Sequence, residues 1–268
     1  MDRRSMMDIL QIGDIDAGNK MLFSKKMEAN SDHLTLVIGC GGIGANVIKQ
    51  AVKKFEPGFG KCVKFLLADA DSCETESAIG EPGCKAVQAI NLSMPGADAR
   101  FSYDHRDDFY RTFMPKDFSA ETMDHHGSGC VRMNGKAKFY DCMMESGKYN
   151  DMEFRYKIAG MLDEECRHGK QVDIMVLAGL SGGTGSGIFE EAAVHARYAC
   201  QEAGADNVRV FGYLFLPDTM EKLAGGNPAV MSCMYANGYA ALKELESYMS
   251  IPFNRNRKEK FAAHGAEV

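Results

Sequence analysis

Two glycine-rich runs carry the chemistry that is legible in this 268-residue chain. The first reads Gly39-Cys40-Gly41-Gly42-Ile43-Gly44-Ala45-Asn46, and the second Gly179-Leu180-Ser181-Gly182-Gly183-Thr184-Gly185-Ser186-Gly187. Each follows a short apolar run and precedes a segment with apolar residues at helical spacing, so each reads as a strand-to-helix turn. Glycine lets the main chain turn tightly and approach a ligand closely, while the free amides and dipole of a helix start attract negative charge. Phosphate binding is the chemistry such turns serve. The second run has no lysine at its penultimate position, which excludes a Walker-type loop. Its five glycines in nine residues are conformationally costly unless the backbone itself does the binding.

Other residue sets could join such a site. Asp69 and Asp71 follow the apolar run Cys62–Ala68, and carboxylates suit magnesium, a hard cation that bridges phosphate oxygens and keeps several waters. The bland reading of either acid is a strand-end turn or a helix cap. Gly127-Ser128-Gly129-Cys130-Val131-Arg132 with Gly135 is a third loop, in which the Arg132 guanidinium either meets a phosphate oxygen or sits in solvent. His125 and His126 precede that loop, while His168 and His195 fall on helical segments without metal-ligand spacing. No catalytic residue is identifiable.

Alternating elements must position these groups. Leu34 to Ile38 predicts a strand, Ala45 to Phe55 a helix, and Cys62 to Ala68 a second strand. Between Ser72 and Gly129 the breakers Gly80, Pro82, Gly83, Pro95, Gly96 and Pro115 leave only loops and short helices to expect. Helices follow over Asn134–Met144 and Met152–Arg167, the latter with Phe154, Ile158, Met161, Leu162 and Cys166 on one face and Gly169 as its stop. Val172–Ala178 and Val208–Leu216 read as strands, and a last helix spans Ala229–Met249. The alternation predicts an α/β fold, a mostly parallel sheet with helices on both faces. We divide the chain into a leader or edge segment over 1–33, a nucleotide-binding domain over 34–249 and the start of a following segment over 250–268.

Composition narrows the class. With 45% hydrophobic and 25% charged residues the chain is an ordinary globular protein. Nine cysteines without a C-x-x-C pair read as reduced thiols of a cytoplasmic protein, and eighteen methionines as core filler. A net charge of -6 argues against nucleic acid, the Arg255–Lys260 cluster reading as a solvated turn. The start lacks a signal-peptide stretch and no run is long enough to span a bilayer, so membrane insertion is not expected.

Three nucleotide families could own the first loop, and the first 75 residues do not choose among them. Gly39, Gly41, Gly44 and Asp69 satisfy the dinucleotide-binding pattern, and the G-x-G-G-I-G turn also resembles adenylating enzymes of the ThiF and ubiquitin-activating type. The second loop separates them: Gly182 to Gly187 (G-G-T-G-S-G) resembles the tubulin signature without a gap. The resemblance is to the tubulin and FtsZ superfamily, in particular its divergent bacterial members, and covers about Leu34 to Met249. It implies a Rossmann-like domain that binds GTP or GDP with Mg2+. Gly41, Gly42, Ile43, Gly44 and Asn46 would form the leading glycine loop, and Ser181, Gly182, Gly183, Thr184, Gly185, Ser186 and Gly187 the phosphate cradle. Asp69 would lie near the nucleotide and Asp71 near the metal. Gly129 and Arg132 match a third nucleotide-facing loop, and Asn237, in Ala236–Leu245, either contacts ribose or base or belongs to an ordinary helix. The resemblance further implies self-association into protofilament-like polymers, with GTP hydrolysed where an acid from the next protomer reaches the site. Two alternatives stand beside it: ATP-dependent adenylation, and a nucleotide-dependent interaction module without turnover.

Overall fold

The computed structural model describes residues 33–54, 63–80, 87–92, 127–143, 153–162 and 171–250. The leader over 1–32, most of the 250–268 segment, His125, His126, His168, Cys166 and Gly169 lie outside the described residues.

The strands are β1 (His33–Cys40), β2 (Val63–Asp69), β3 (Val87–Asn91), β4 (Gln171–Gly179) and β5 (Asn207–Phe215). All pair in parallel, in the order β3-β2-β1-β4-β5. The helices are α1 (Gly41–Lys54), α2 (Ser72–Gly80), α3 (Arg132–Met143), α4 (Glu153–Met161), α5 (Thr184–Glu202) and α6 (Pro228–Ser250), with a 3-10 segment over Pro217–Ala224. The expected parallel α/β architecture is the one observed. One element departs from the loops and short helices expected among the breakers: β3, a strand of five residues, too short to show a period, whereas α2 is a short helix of the kind expected.

Alternation along the strands explains why both faces are covered. Leu34, Leu36, Ile38 and Cys40 of β1 join Val172, Ile174, Val176 and Ala178 of β4 in one core, against Phe139 of α3, Phe154 and Ile158 of α4, and Ile188 and Phe189 of α5. The opposite face carries Val37, Phe65, Leu67 and Leu177, packed on Ala45 and Ile48 of α1. A strand buried on both faces reads as a continuous apolar run, as β1 and β4 do. Phe154, Ile158, Met161 and Leu162 are all buried, so the face assigned to α4 is the buried one.

The order reverses at β1. The chain moves outward from β1 to β2 and β3, then returns to lay β4 on the other flank of β1, with Gly39 opposite Leu177 and Cys40 opposite Ala178. That reversal leaves a crevice beyond the carboxyl ends of β1 and β4, the place where open parallel sheets bind ligands.

At the amino ends an ion cluster ties three strands. Buried Asp173 of β4 accepts from Arg209 Nε and Nη2 of β5 at 2.8 and 2.7 Å, from Gln171 Nε2 at 2.9 Å, and meets His33 Nε2 of β1 at 2.8 Å. Burial pushes the Asp173 pKa up, but the hydrogen bonds from Arg209 and Gln171 and the charge of His33 overcome it and hold the carboxyl below its ordinary value. A carboxylate with a lowered folded pKa stabilises the fold above its unfolded pKa, and that contribution is lost as pH falls through the folded value. Asp173→Asn is therefore expected to cost about 1–2 kcal/mol at neutral pH in urea unfolding, since Arg209 is half exposed and its pairing partly screened. The gap between variant and wild type closes as the pH drops below about 4.

Candidate functional site

Beyond the switch point the two glycine turns meet main chain to main chain. Gly41 has φ +70°, and a Cβ there would stand 2.7 Å from Gly185 N. A Cβ on Gly185 would stand 2.7 Å from the Cys40 carbonyl oxygen. Neither position has room for a side chain. Gly44 and Gly39 exclude each other's Cβ in the same way, and Gly187 sits against the Arg132 carbonyl, where a Cβ would be 2.5 Å from the oxygen.

A cavity of about 380 Å³ opens over these turns. Of the residues expected at the site, Gly42, Ile43 and Asn46 from the first turn and Ser181, Gly182, Gly183, Thr184 and Gly185 from the second line it. Cys40, Glu74, Cys130 and Gly179 also line it, with Met220, Val230 and Met234 closing the far side. The last three carry no sequence signal, because apolar residues of a 3-10 segment and a helix look the same whether they cover a core or a ligand.

Two helices begin in this cavity. α1 starts directly at Gly41, and α5 starts at Thr184 with Gly183 as its N-cap and no side-chain hydrogen bond capping it. An uncapped helix start leaves amide donors for an anion, and the helix dipole adds attraction. The one carboxylate lining the cavity, Glu74, is paired with Lys49 Nζ at 3.0 Å, which reduces its repulsion of an anion. The open positions are Gly42 and Gly182, where an added Cβ would meet nothing within 4 Å.

The acid pair after β2 divides its work. Asp71 Oδ1 accepts the Cys73 amide at 2.9 Å, so Asp71 caps α2 as the bland reading expected. Asp69 is buried, accepts the Asp71 amide through Oδ1 at 3.2 Å, and leaves buried Oδ2 without a partner. Burial raises its pKa to about 6 despite the backbone hydrogen bonds that lower it. Among the described residues no set of three acidic, histidine or cysteine ligands forms a metal cage. Neither acid lines the cavity, so the structure does not bring Asp69 or Asp71 to its wall as expected; two carboxylates at the end of β2 are a donor type that suits magnesium.

Three expected site residues, Arg132, Asn237 and Gly129, do not line the cavity. Arg132 is buried and does not line the cavity; its Nε and Nη2 donate to Ser186 O at 3.1 and 2.9 Å, and Nη1 and Nη2 clamp Glu244 of α6 at 3.0 and 2.7 Å. Its donors hold the second glycine turn rather than a phosphate. Asn237 is likewise engaged: Nδ2 donates to Cys130 O at 2.7 Å and Ser181 O at 3.0 Å, stitching α6 to both loops. Gly129, with φ +56°, belongs to the turn that ends at Cys130 and is not at the cavity wall. Ser186 Oγ donates to the Gly182 carbonyl, and Ser128 and Thr184 hydroxyls share a hydrogen bond of 2.9 Å. These bonds shape the turn from behind.

The family model described as "Tubulin like" matches residues 36–265. The chain belongs to the tubulin-like family. No curated protein sequence matches it. Solved structures similar in fold include CetZ2 from Haloferax volcanii as a GTPγS-bound protofilament, at 15% identity and TM-score 0.37, covering 79% of this chain and 57% of that one. An FtsZ mutant from M. jannaschii aligns at 17% identity and TM-score 0.39 over 88% of this chain and 54% of its own. TubZ from Bacillus thuringiensis serovar israelensis, a GTPγS-form protofilament, aligns at 13% identity and TM-score 0.30 over 81% and 56%. This tubulin-like chain spans a little over half the length of these structures.

The contrast between neighbouring glycines gives a test. A Cβ on Gly183 would meet Ser128 Cβ at 2.6 Å and Val131 N at 2.8 Å, so Gly183 packs against the third loop and is no clean probe of a ligand. Gly183→Ala is expected to lower the melting temperature by several degrees, the overpacking costing about 1–3 kcal/mol. Gly182→Ala should melt within about a degree of wild type, because its Cβ projects into open cavity. Equal losses in thermal unfolding would mean that Gly182 also packs against protein.

Proposed function

We propose that this chain binds a guanine nucleotide, with its phosphates over Gly182 to Gly185 and Mg2+ beside Asp71. The observation that carries the reading is the uncapped start of α5, opening into a cavity at the point where the strand order reverses. Membership of the tubulin-like family favours guanine over adenine. The wall around Gly42, Asn46 and Gly182 offers main-chain amides and open space, which suits an anion held by backbone rather than by a lysine or arginine.

In this reading Gly41, Gly44, Gly187, Arg132 and Asn237 act at one remove, keeping the turns at their separation. Hydrolysis would require a group to position water, and the proposal assigns it to a neighbouring protomer in a protofilament-like assembly, where positioning and electrostatics supply the rate. A cytoplasmic setting is part of the same reading; among the described residues no helix is long and apolar enough to cross a membrane. Adenylation is less favoured, since the residues after Asp71, Ser72 to Ser77, form α2 and bring no arginine to the cavity.

Calorimetric titration with GTP, GDP, ATP and NAD tests the reading. GTP is expected to bind at least tenfold more tightly than ATP, and tighter ATP or NAD would overturn it. Gly182→Val should weaken GTP binding at least tenfold with its far-UV spectrum unchanged. Asp71→Ala should weaken binding only when Mg2+ is present. Phosphate release per protomer should be slow and rise with protein concentration; brisk, concentration-independent release would place the catalytic group inside this chain.

A further inference from the structure

At the rim of the cavity the thiol of one cysteine meets the main chain of another. Cys130 ends the 127–130 turn and lines the cavity, and Cys233 lies in the second turn of α6, whose Val230 and Met234 line it from the other side. Both are free cysteines, Cys130 exposed and Cys233 half-buried. The Cys233 thiol donates to the Cys130 carbonyl oxygen at 3.4 Å. A carbonyl oxygen is about 2.4 Å from its own Cα, so the Cys233 sulfur lies within about 6 Å of Cys130 Cα. Side-chain rotation at that range brings two sulfurs towards the geometry of a disulfide.

The backbone at Cys130 is a second sign. Among the described residues it is the sole non-glycine with positive φ, at +58°. Such a conformation persists where the surroundings impose it, and Asn237 Nδ2, bonded to the same carbonyl at 2.7 Å, is one such hold. Glycine would fit this turn without strain, as it does at Gly127 and Gly129, whereas this position carries a thiol.

We propose that Cys130 and Cys233 form a reversible dithiol–disulfide latch across the rim, and that the bridged form binds nucleotide more weakly. The proposal rests on the nucleotide reading above. Its direction follows from position: Cys130 and the Val230 and Met234 side chains of α6 line the same cavity, so a bridge fixes the spacing of two walls between which the nucleotide enters and leaves. A bridge from the 127–130 turn to α6 holds that rim in place.

The oxidant is a small disulfide of the glutathione type. The exposed Cys130 thiolate attacks one of its sulfurs, forming a mixed disulfide and expelling one glutathione thiolate. Cys233, deprotonated in turn, displaces the second. One disulfide bond breaks and one forms, two electrons pass from the cysteine sulfurs to the two glutathione sulfurs, and the two protons end on the released thiols. Partial burial and the neighbouring Cys233 push the Cys130 pKa up, so exchange quickens as pH rises.

The test treats the whole protein with glutathione disulfide, maps cysteine-linked peptides by mass spectrometry, and titrates GTP before oxidation, after it, and after reduction. The expected result is a Cys130–Cys233 peptide, at least tenfold weaker GTP binding, and recovery with reductant. Cys233→Ser, which keeps a hydroxyl donor for the Cys130 carbonyl, should stop at the mixed disulfide, giving a glutathione adduct on Cys130 and no bridge to α6. Absence of the linked peptide in wild type, or unchanged affinity in its presence, overturns the latch while GTP binding by the reduced protein stands. If the reduced protein binds none of the nucleotides, the nucleotide reading is overturned, and the latch's control of it falls with it.

Discussion

The contact between the turn at Cys40–Gly41 and the turn at Thr184–Gly185 is the constraint on which the rest of the molecule depends. Main chain lies directly on main chain there, with no space for a Cβ on either side. The contact is possible because β1 and β4 are paired in register, which brings both turns out of the sheet at one level. It also dictates where α1 and α5 begin, and with them the two dipoles aimed into the cavity. Glycine at Gly41 and Gly185 is thus a packing requirement first, and the approach of a ligand is a use made of the turns so formed.

Behind the turns a charged network fastens three helices. Arg132 of α3 holds the Ser186 carbonyl of α5 and clamps Glu244 of α6, while Lys136 bridges Glu191 at 3.1 Å and Glu244 at 2.9 Å. Burial alone would lower the Lys136 pKa, but the two glutamates around it raise it, and Arg132 and Lys136 hold Glu244 below its ordinary value despite its own desolvation. Glu190 has no such partner for either oxygen, and burial beside Glu191 pushes it up to about 7. Breaking such a pair from the side of α6 leaves buried Arg132 and Lys136 short of a partner, so the network fixes where Glu244 must lie. Through Arg132 and Asn237 the position of α6 is tied to the backbone of the second glycine turn.

Much of the fold was readable because strand and helix periods are properties of short stretches. Buried strands such as Val172–Ala178 and the apolar face of Phe154 to Leu162 stand out from their own residues. Asn134–Met144 was legible for the same reason, although α3 begins two residues earlier, where Arg132 enters the helix and turns into the protein. β3 was not legible, since Val87–Asn91 is only five residues long. Ser72–Gly80 was legible as a short helix without bounds, because it is polar and its start depends on the Asp71 side chain.

The types and spacing of residues by themselves determined that two glycine turns end two buried strands and that helices follow them. Those properties are local, set by backbone freedom at glycine and by apolar periodicity. Which donors face the cavity was decided only by tertiary structure. Arg132 looks like a phosphate ligand in a string of letters, yet the crossing of α3, α5 and α6 places Ser186 O and Glu244 around it. Gly182 and Gly183 are adjacent and identical in sequence, yet one faces open cavity and the other Ser128 and Val131. A side chain's occupation depends on what the rest of the chain brings within about 3 Å of it, and that proximity joins residues far apart in sequence.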